Sequence, residues 1–294
     1  MRVLHFTDVH LPIPYLRIPA WSWFSKRALG GMNSWLRRRK KFRDAPRKLQ
    51  ELEAFARDEG VDLFLSTGDH THLGTEPEYE QAARVLEPFR SAAHGLIHIP
   101  GNHDVYLVDA VRERRFERYF GEFQTDLPEL AGRGAWPFVR LLGPDVAVVG
   151  VNSARPNAPF WRSSGRIAEA EVEALERVFA DPRVSSRFVF VLTHYAPRLP
   201  SGEPDEPNHG LENADAFLAA CSRLERGAVL HGHVHHCYFL RVPELRIPIF
   251  GAGSTTYAGR EGFWVFDVGP EGASARKGSY QAGAYVLDPT RVSW

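Results

Sequence analysis

Asp, His and Asn residues of this chain gather in short polar clusters whose side chains share one kind of chemistry. Asp8 and His10 are one residue apart, Asp69 follows Gly68, Asn102, His103 and Asp104 follow Gly101, His194 precedes Tyr195, and His233 and His235 follow Gly232. Together they offer carboxylate oxygens, an amide oxygen and imidazole nitrogens but no thiolate, a set that suits divalent Mn, Fe or Zn, with Mg also open. It holds more ligands than one four-coordinate ion takes, so two divalent metal ions are expected. One bridging carboxylate could hold such ions about 3.5–4 Å apart, the spacing of a phosphate clamp.

Such a site needs elements that bring five distant stretches together, and the hydrophobic pattern supplies them. It predicts strands at 2–6, 61–66, 96–99, 138–142, 145–151, 187–192, 228–231, 238–242, 247–251 and 263–268, with helices at 45–58, 77–92, 106–120, 167–180 and 211–225. This alternation argues for an α/β protein with mixed sheets packed between helices. No repeat, low-complexity segment or linker divides it, so residues 1–294 are expected to form one domain. Each polar cluster lies just past a strand's carboxyl end, where loops of open α/β sheets converge on a ligand crevice. Gly68, Gly101 and Gly232 precede Asp69, Asn102 and His233, and are expected to let the backbone turn the polar side chain inward.

Composition narrows the class. Hydrophobic residues make up 44% and charged residues 24% of 294, which excludes a disordered or collagen-like chain. Two cysteines, Cys221 and Cys237, cannot build a disulfide framework or a four-cysteine zinc site, and the opening Arg2-Val3-Leu4-His5-Phe6 lacks the pattern of a signal peptide. The expected compartment is cytoplasmic. No apolar run approaches the ~20 residues of a membrane span. The 36 basic and 36 acidic residues cancel overall, yet residues 26–48 hold ten cations against Asp44 alone, a local charge of +9.

Taken together, Asp8-x-His10, Gly68-Asp69, Gly101-Asn102-His103-Asp104, His194 and Gly232-His233-x-His235 follow the order and approximate spacing of the calcineurin-like metallophosphoesterase superfamily. The chain resembles it from residue 2 to about residue 268, and Gly251-Ala252-Gly253-Ser254 is similar to the family's closing section. The resemblance implies a four-layer α/β/β/α sandwich of two mixed sheets flanked by helices, with a dinuclear site at one edge. It implies that Asp8, His10 and His235 hold one ion, that Asn102, His194 and His233 hold the other, and that Asp69 bridges them. A hydroxide held between the ions would attack phosphorus in line. His103 would protonate or support the leaving oxygen, with Asp104 orienting its ring. The expected function is a metal-dependent phosphodiesterase or pyrophosphatase, with an amphiphilic or nucleotide-linked phosphoester as substrate. A phosphomonoesterase on the same site and a non-catalytic metal-binding scaffold for protein association are the alternatives; a missing ligand or a missing His103 would mark the scaffold, and all are present.

Two positions depart from the family's common pattern. His70-Thr71-His72 stands where many members carry an acidic residue, and reads as exposed loop histidines or as groups tuning the metal site. Tyr195 stands where relatives often have a second histidine, which bears on leaving-group or phosphate contacts. His5, His94, His98, His209, His231, His236 and Cys237 are assigned to packing, with His231 and His236 close enough to the ligands to support them.

Residues 12–44 are an insertion after the first strand. Trp21, Phe24, Ala28, Met32 and Trp35 recur at helical spacing, with Lys26, Arg27, Arg37, Arg38 and Lys41 opposite, although Gly30-Gly31 interrupts the pattern. The segment reads as an interfacial helix for an anionic membrane or lipid-bearing substrate, which would place the protein peripherally on the inner membrane surface. The other reading is a helical flap packed on its own protein or on a partner subunit. Nucleic acid is disfavoured, because no stacking platform or recognition helix accompanies the cations. The Pro- and Gly-rich loop at 195–213 follows a predicted ligand directly and is a lid candidate.

Overall fold

Strand β1 (Arg2–Phe6) sends Val3 to one side and Leu4 and Phe6 to the other, and β6 (Phe188–Leu192) sends Phe188, Phe190 and Leu192 one way and Val189 and Val191 the other. Successive strand residues face opposite sides, so both faces of each sheet are apolar and both must be covered. A computed structural model, describing residues 1–18, 40–121, 125–159, 161–270 and 272–294, shows how. One sheet has the order β12-β11-β10-β1-β2-β3 and the other β4-β5-β6-β7-β9-β8. The first comprises β1, β2 (Leu63–Ser66), β3 (Leu96–His98), β10 (Phe263–Gly269), β11 (Gly272–Gln281) and β12 (Ala284–Ser293). The second comprises β4 (Phe138–Leu142), β5 (Val146–Gly150), β6, β7 (Gly227–His231), β8 (Tyr238–Leu240) and β9 (Ile249–Gly251).

Three apolar layers separate four structural ones. Val3, Leu65, Phe190, Phe250 and Phe266 form the core between the sheets. Helices α1 (Ala45–Asp58) and α2 (Glu76–Leu86) pack Leu49, Leu52 and Tyr79 against the outer face of the first sheet. On the second sheet's outer face, α5 (Glu169–Ala180) and α7 (Ala214–Cys221) contribute Leu175, Val178, Phe217 and Leu218. The architecture is the expected α/β/β/α sandwich. Strands β1, β2 and β3 run parallel in one sheet and β5, β6, β7 and β9 in the other.

Three expectations change. The helix predicted at 106–120 is two short ones, α3 (Val108–Arg112) and α4 (Arg115–Phe120), because Arg114 takes the left-handed conformation at φ 50°. The helix predicted at 77–92 stops at Leu86 and tightens into a 3-10 turn, Glu87–Ser91, containing Pro88. A hairpin, β11 and β12, extends the first sheet beyond residue 268; its outer strand is largely exposed, so an alternating apolar pattern does not mark it. A short helix α6 (Pro182–Ser185) follows α5.

The apolar stripe of the insertion, from Trp21 to Trp35, lies outside the described residues. At its borders Ile13, Ile18 and Phe42 are buried and Leu16 is fully exposed. Among the described residues no helix is long and apolar enough to cross a membrane.

Candidate dinuclear metal centre

The loops that leave the parallel strands are tied to one another before any side chain is considered. Asp8 N–H donates to Gly68 O, His10 N–H to Asp69 O and Leu11 N–H to His70 O, which prolongs the β1–β2 pairing past the sheet edge. Gly232 N–H donates to His194 O and joins the loops after β6 and β7. The hydroxyls of Ser254, Thr255 and Thr256, just after β9, donate to the carbonyls of Asp8, Thr7 and Val9 and so lock the two sheets together here.

These ties impose strain. Asp8, His10, Asp69, His233 and His235 all have φ between 41° and 70°, whereas only Arg114 and Ala282 do so among the other described non-glycine residues. Such conformations cost about 1–3 kcal/mol each and persist where surrounding structure over-determines them. The glycines play two parts. Gly68 has φ 103°, as expected of a turn residue, whereas Gly232 is required for close approach: a Cβ there would lie 2.2 Å from Thr7 Oγ1 and 2.4 Å from Asp8 Oδ2.

Seven predicted ligands converge. Asp8 Oδ2 accepts from Thr7 Oγ1 and His233 N–H, while Oδ1 lies 3.1 Å from His235 Nε2 and 3.7 Å from His10 Nε2. The Nε2 atoms of His10 and His235 approach to 3.4 Å. Asp69 stands between two groups, with Oδ2 3.5 Å from His10 Nε2 and Oδ1 3.6 Å from His194 Nε2. Asn102 Oδ1 lies 3.0 Å from both His194 Nε2 and His233 Nδ1. Asp8, His10 and His235 form one cluster with ligand atoms within 4.8 Å of one another, and Asp8, Asp69 and His194 form a second.

Ring tautomers make the fit to cations chemical as well as spatial. His10 Nδ1 lies 3.2 Å from Thr71 O, His194 Nδ1 2.7 Å from Thr67 O, and His233 Nε2 3.0 Å from His209 O. A carbonyl only accepts, so each of these nitrogens carries the proton and the other presents a lone pair toward the carboxylates and the amide oxygen. Burial pulls the His194 and His233 rings below the ordinary histidine range, which favours the neutral ligating form. Burial alone would push Asp8 up, but His235, His194 and His233 outweigh it and hold its carboxyl below the ordinary range.

His103 sits beside this cluster, its Nδ1 2.6 Å from His72 O and its backbone N–H on Asp69 Oδ1 at 2.8 Å. Asp104 does not orient that ring, contrary to expectation. Its buried carboxylate accepts from the backbone N–H of Asp69, His70, Thr71 and Gly101, from Thr71 Oγ1 and from His70 Nδ1. Those bonds shape the loop that carries Asp69, and both carboxylate oxygens are used in doing so. His70 and His72 are buried rather than exposed: His70 spans Asp104 and Ser66, and His72 stacks on His10 at 5.1 Å. The Tyr195 hydroxyl donates to Ser163 O at 2.6 Å, and its ring packs on His233.

Several contributors carry no side-chain signal in the sequence. His209, assigned to packing, holds His233 through its backbone carbonyl, and its ring packs at a tilt against His233 with centroids 4.2 Å apart. Ser153, after β5, accepts His194 N–H on its hydroxyl. The loop at 195–213 thus touches the centre through His209, while Asp205 braces the His209 ring at 2.6 Å.

Comparison with known proteins agrees with this geometry. The family model for calcineurin-like phosphoesterases matches residues 1–237. A probable cyclic nucleotide phosphodiesterase of Vesicomyosocius okutanii is 24% identical over 176 residues, covering 60% of this chain and 63% of that protein. A dimetal phosphatase from Danio rerio superposes with a TM-score of 0.65 at 13% identity, over 97% of this chain and 98% of that one. A purple acid phosphatase, PPD1, from yellow lupin gives 0.59 at 11% identity, over 97% and 52%. At these identities the likeness to the two solved structures is one of fold.

Proposed function

The chain belongs to the calcineurin-like phosphoesterase family, and we propose that it is a phosphodiesterase or pyrophosphatase. The observation that carries this reading is Asp69, whose two carboxylate oxygens face imidazoles of two separate groups. Asp8, His10 and His235 would hold one divalent ion, Asn102, His194 and His233 the other, and Asp69 both. Two such ions would acidify water and clamp phosphate oxygens. The protein's own part is to hold His194 and His233 neutral, to keep Asp8 ionised beside them, and to deliver a proton.

His103 is the donor to the leaving oxygen in this reading. With Nδ1 donating to His72 O, the proton for the leaving oxygen would be delivered from Nε2. Asp104 supports it indirectly, by shaping the loop of Asp69 and His72. Both sheets share one core, which supports treating the whole chain as a single functional unit.

An amphiphilic or nucleotide-linked substrate is proposed on two grounds. Among the described residues, the large apolar side chains that stand exposed are Leu16, Val108, Val111 and Trp161, all on segments that follow β1, β3 and β5 in the chain. The curated relative is a probable cyclic nucleotide phosphodiesterase, which supports a diester. Peripheral contact with an anionic membrane through residues 12–44 belongs to the same proposal. Metal analysis with a panel of chromogenic monoesters and diesters, cyclic nucleotides and nucleotide-linked lipids tests it. A preference for diesters or pyrophosphates is expected; a preference for monoesters, or no turnover by protein carrying two ions per chain, overturns it.

A further inference from the structure

Beside the centre lies a cavity of about 810 Å³ that the chemistry above does not use. Pro100 and Val105, which bracket the Asn102–Asp104 cluster, form part of its wall, and so do Asn152 and Ala154, which bracket Ser153. The cavity therefore opens between the loops after β3 and β5, on the flank of the site built from Asn102 and His194.

Its wall is rich in arginine, and the arginines divide into two kinds. Arg155 is held by Ser164 and Glu212, and Arg166 by Glu169. Arg114 and Arg133 also line the cavity, and neither is ion-paired among the described residues. They come from different segments, Arg114 from the left-handed junction of α3 and α4 and Arg133 from the turn before β4. Glu117 and Glu171 share the wall. Glu171 is buried, and burial pushes its carboxyl up to about 8 against the Asn152 N–H bond and the charge of Arg133. It is protonated at neutral pH, so two unpaired guanidinium groups face one ionised carboxylate, and the wall stays positive.

We propose that this cavity binds a second phosphate of the substrate, one beyond the scissile phosphoester, through Arg114 and Arg133. Two guanidinium groups from separate elements match the double charge and multiple acceptor oxygens of a phosphate monoester. The proposal rests on the phosphodiesterase reading and adds to it what the substrate carries beyond the reacting bond.

Two chromogenic substrates test it: the 5′-(p-nitrophenyl phosphate) of thymidine, and the same compound bearing a 3′-phosphate. The wild type is expected to favour the second by about tenfold or more in kcat/KM, the scale of one or two charge-assisted hydrogen bonds. The double variant Arg114→Gln/Arg133→Gln should bring that ratio to near one while leaving turnover of the 3′-hydroxyl compound within about twofold. Arg223→Gln/Arg226→Gln, the same charge change away from the cavity wall, should leave the ratio as it is. No preference in the wild type, a preference that survives the Arg114/Arg133 change, or equal loss in the control pair overturns the proposal. If neither compound is turned over, the phosphodiesterase reading fails by itself, and calorimetry decides the subsite separately. Thymidine 3′,5′-bisphosphate should then bind more tightly than thymidine 5′-phosphate to the wild type and equally to the variant; equal binding to the wild type overturns the subsite.

Discussion

Glu171 offers a test with a definite sign. The residue is 3% exposed on α5, and its carboxyl accepts the Asn152 N–H at 2.7 Å, one residue before the Ser153 hydroxyl that holds His194. Burial is the main reason its ionisation moves from 4.5 to about 8. Between those values the folded protein keeps a proton that the unfolded chain releases, so the folded state binds more protons and stability falls as pH rises. At about 1.36 kcal/mol per pH unit, the full penalty approaches about 5 kcal/mol above pH 8 and is under about 1 kcal/mol at pH 5. Glu171→Gln keeps an acceptor oxygen for Asn152 and removes the ionisation. Its stability relative to the wild type is therefore expected to rise by about 2–5 kcal/mol from pH 5 to pH 8.5. Denaturant unfolding of both proteins at fixed metal concentration measures this, because titration of the site histidines is common to both and cancels in the difference. A difference that stays flat over that pH range would refute the reasoning.

Asp69→Ala should lower bound metal and remove nearly all turnover, since its two oxygens face both groups of imidazoles; two ions per chain with near-normal rates would contradict the bridging role. His103→Ala should retain metal and lose roughly 10²–10⁴-fold on a poor leaving group, with a smaller loss on a nitrophenyl ester. Equal losses on both would remove the proton-donor assignment. Gly232→Ala places a methyl 2.4 Å from Asp8 Oδ2 and should weaken metal affinity by about tenfold or more, read by chelator competition; unchanged affinity would show that the loop can give way. Wild-type protein should sediment with anionic vesicles at low salt and progressively less as salt rises, and changing Trp21, Phe24, Met32 and Trp35 to Ser should abolish this. Indifference to vesicles at low salt would remove the membrane reading of residues 12–44.

Much of the centre is legible in the chain because ligand types and strand ends are local properties. Asp8-x-His10, Gly101-Asn102-His103 and Gly232-His233-x-His235 each follow an apolar strand run, and parallel strands leave their carboxyl ends at one edge. The helix at 45–58 and the alternation in β1 and β6 are likewise readable, since periodicity reports which faces are buried. Partner choice is a different matter. That Asp104 ties down the Asp69 loop instead of the His103 ring follows from which N–H groups converge on it after folding. Backbone carbonyls choose the tautomers of His10, His194 and His233, and every residue type carries a carbonyl, so Thr71, Thr67 and His209 give no advance sign. The same holds for Gly232, needed because Thr7 and Asp8 crowd it from the loop after β1. The sequence by itself determined which chemistry is present and which strand ends carry it. Tertiary structure alone decided which atoms face one another, because that depends on contacts between residues distant in the chain, such as Asp8 and His233, 225 positions apart.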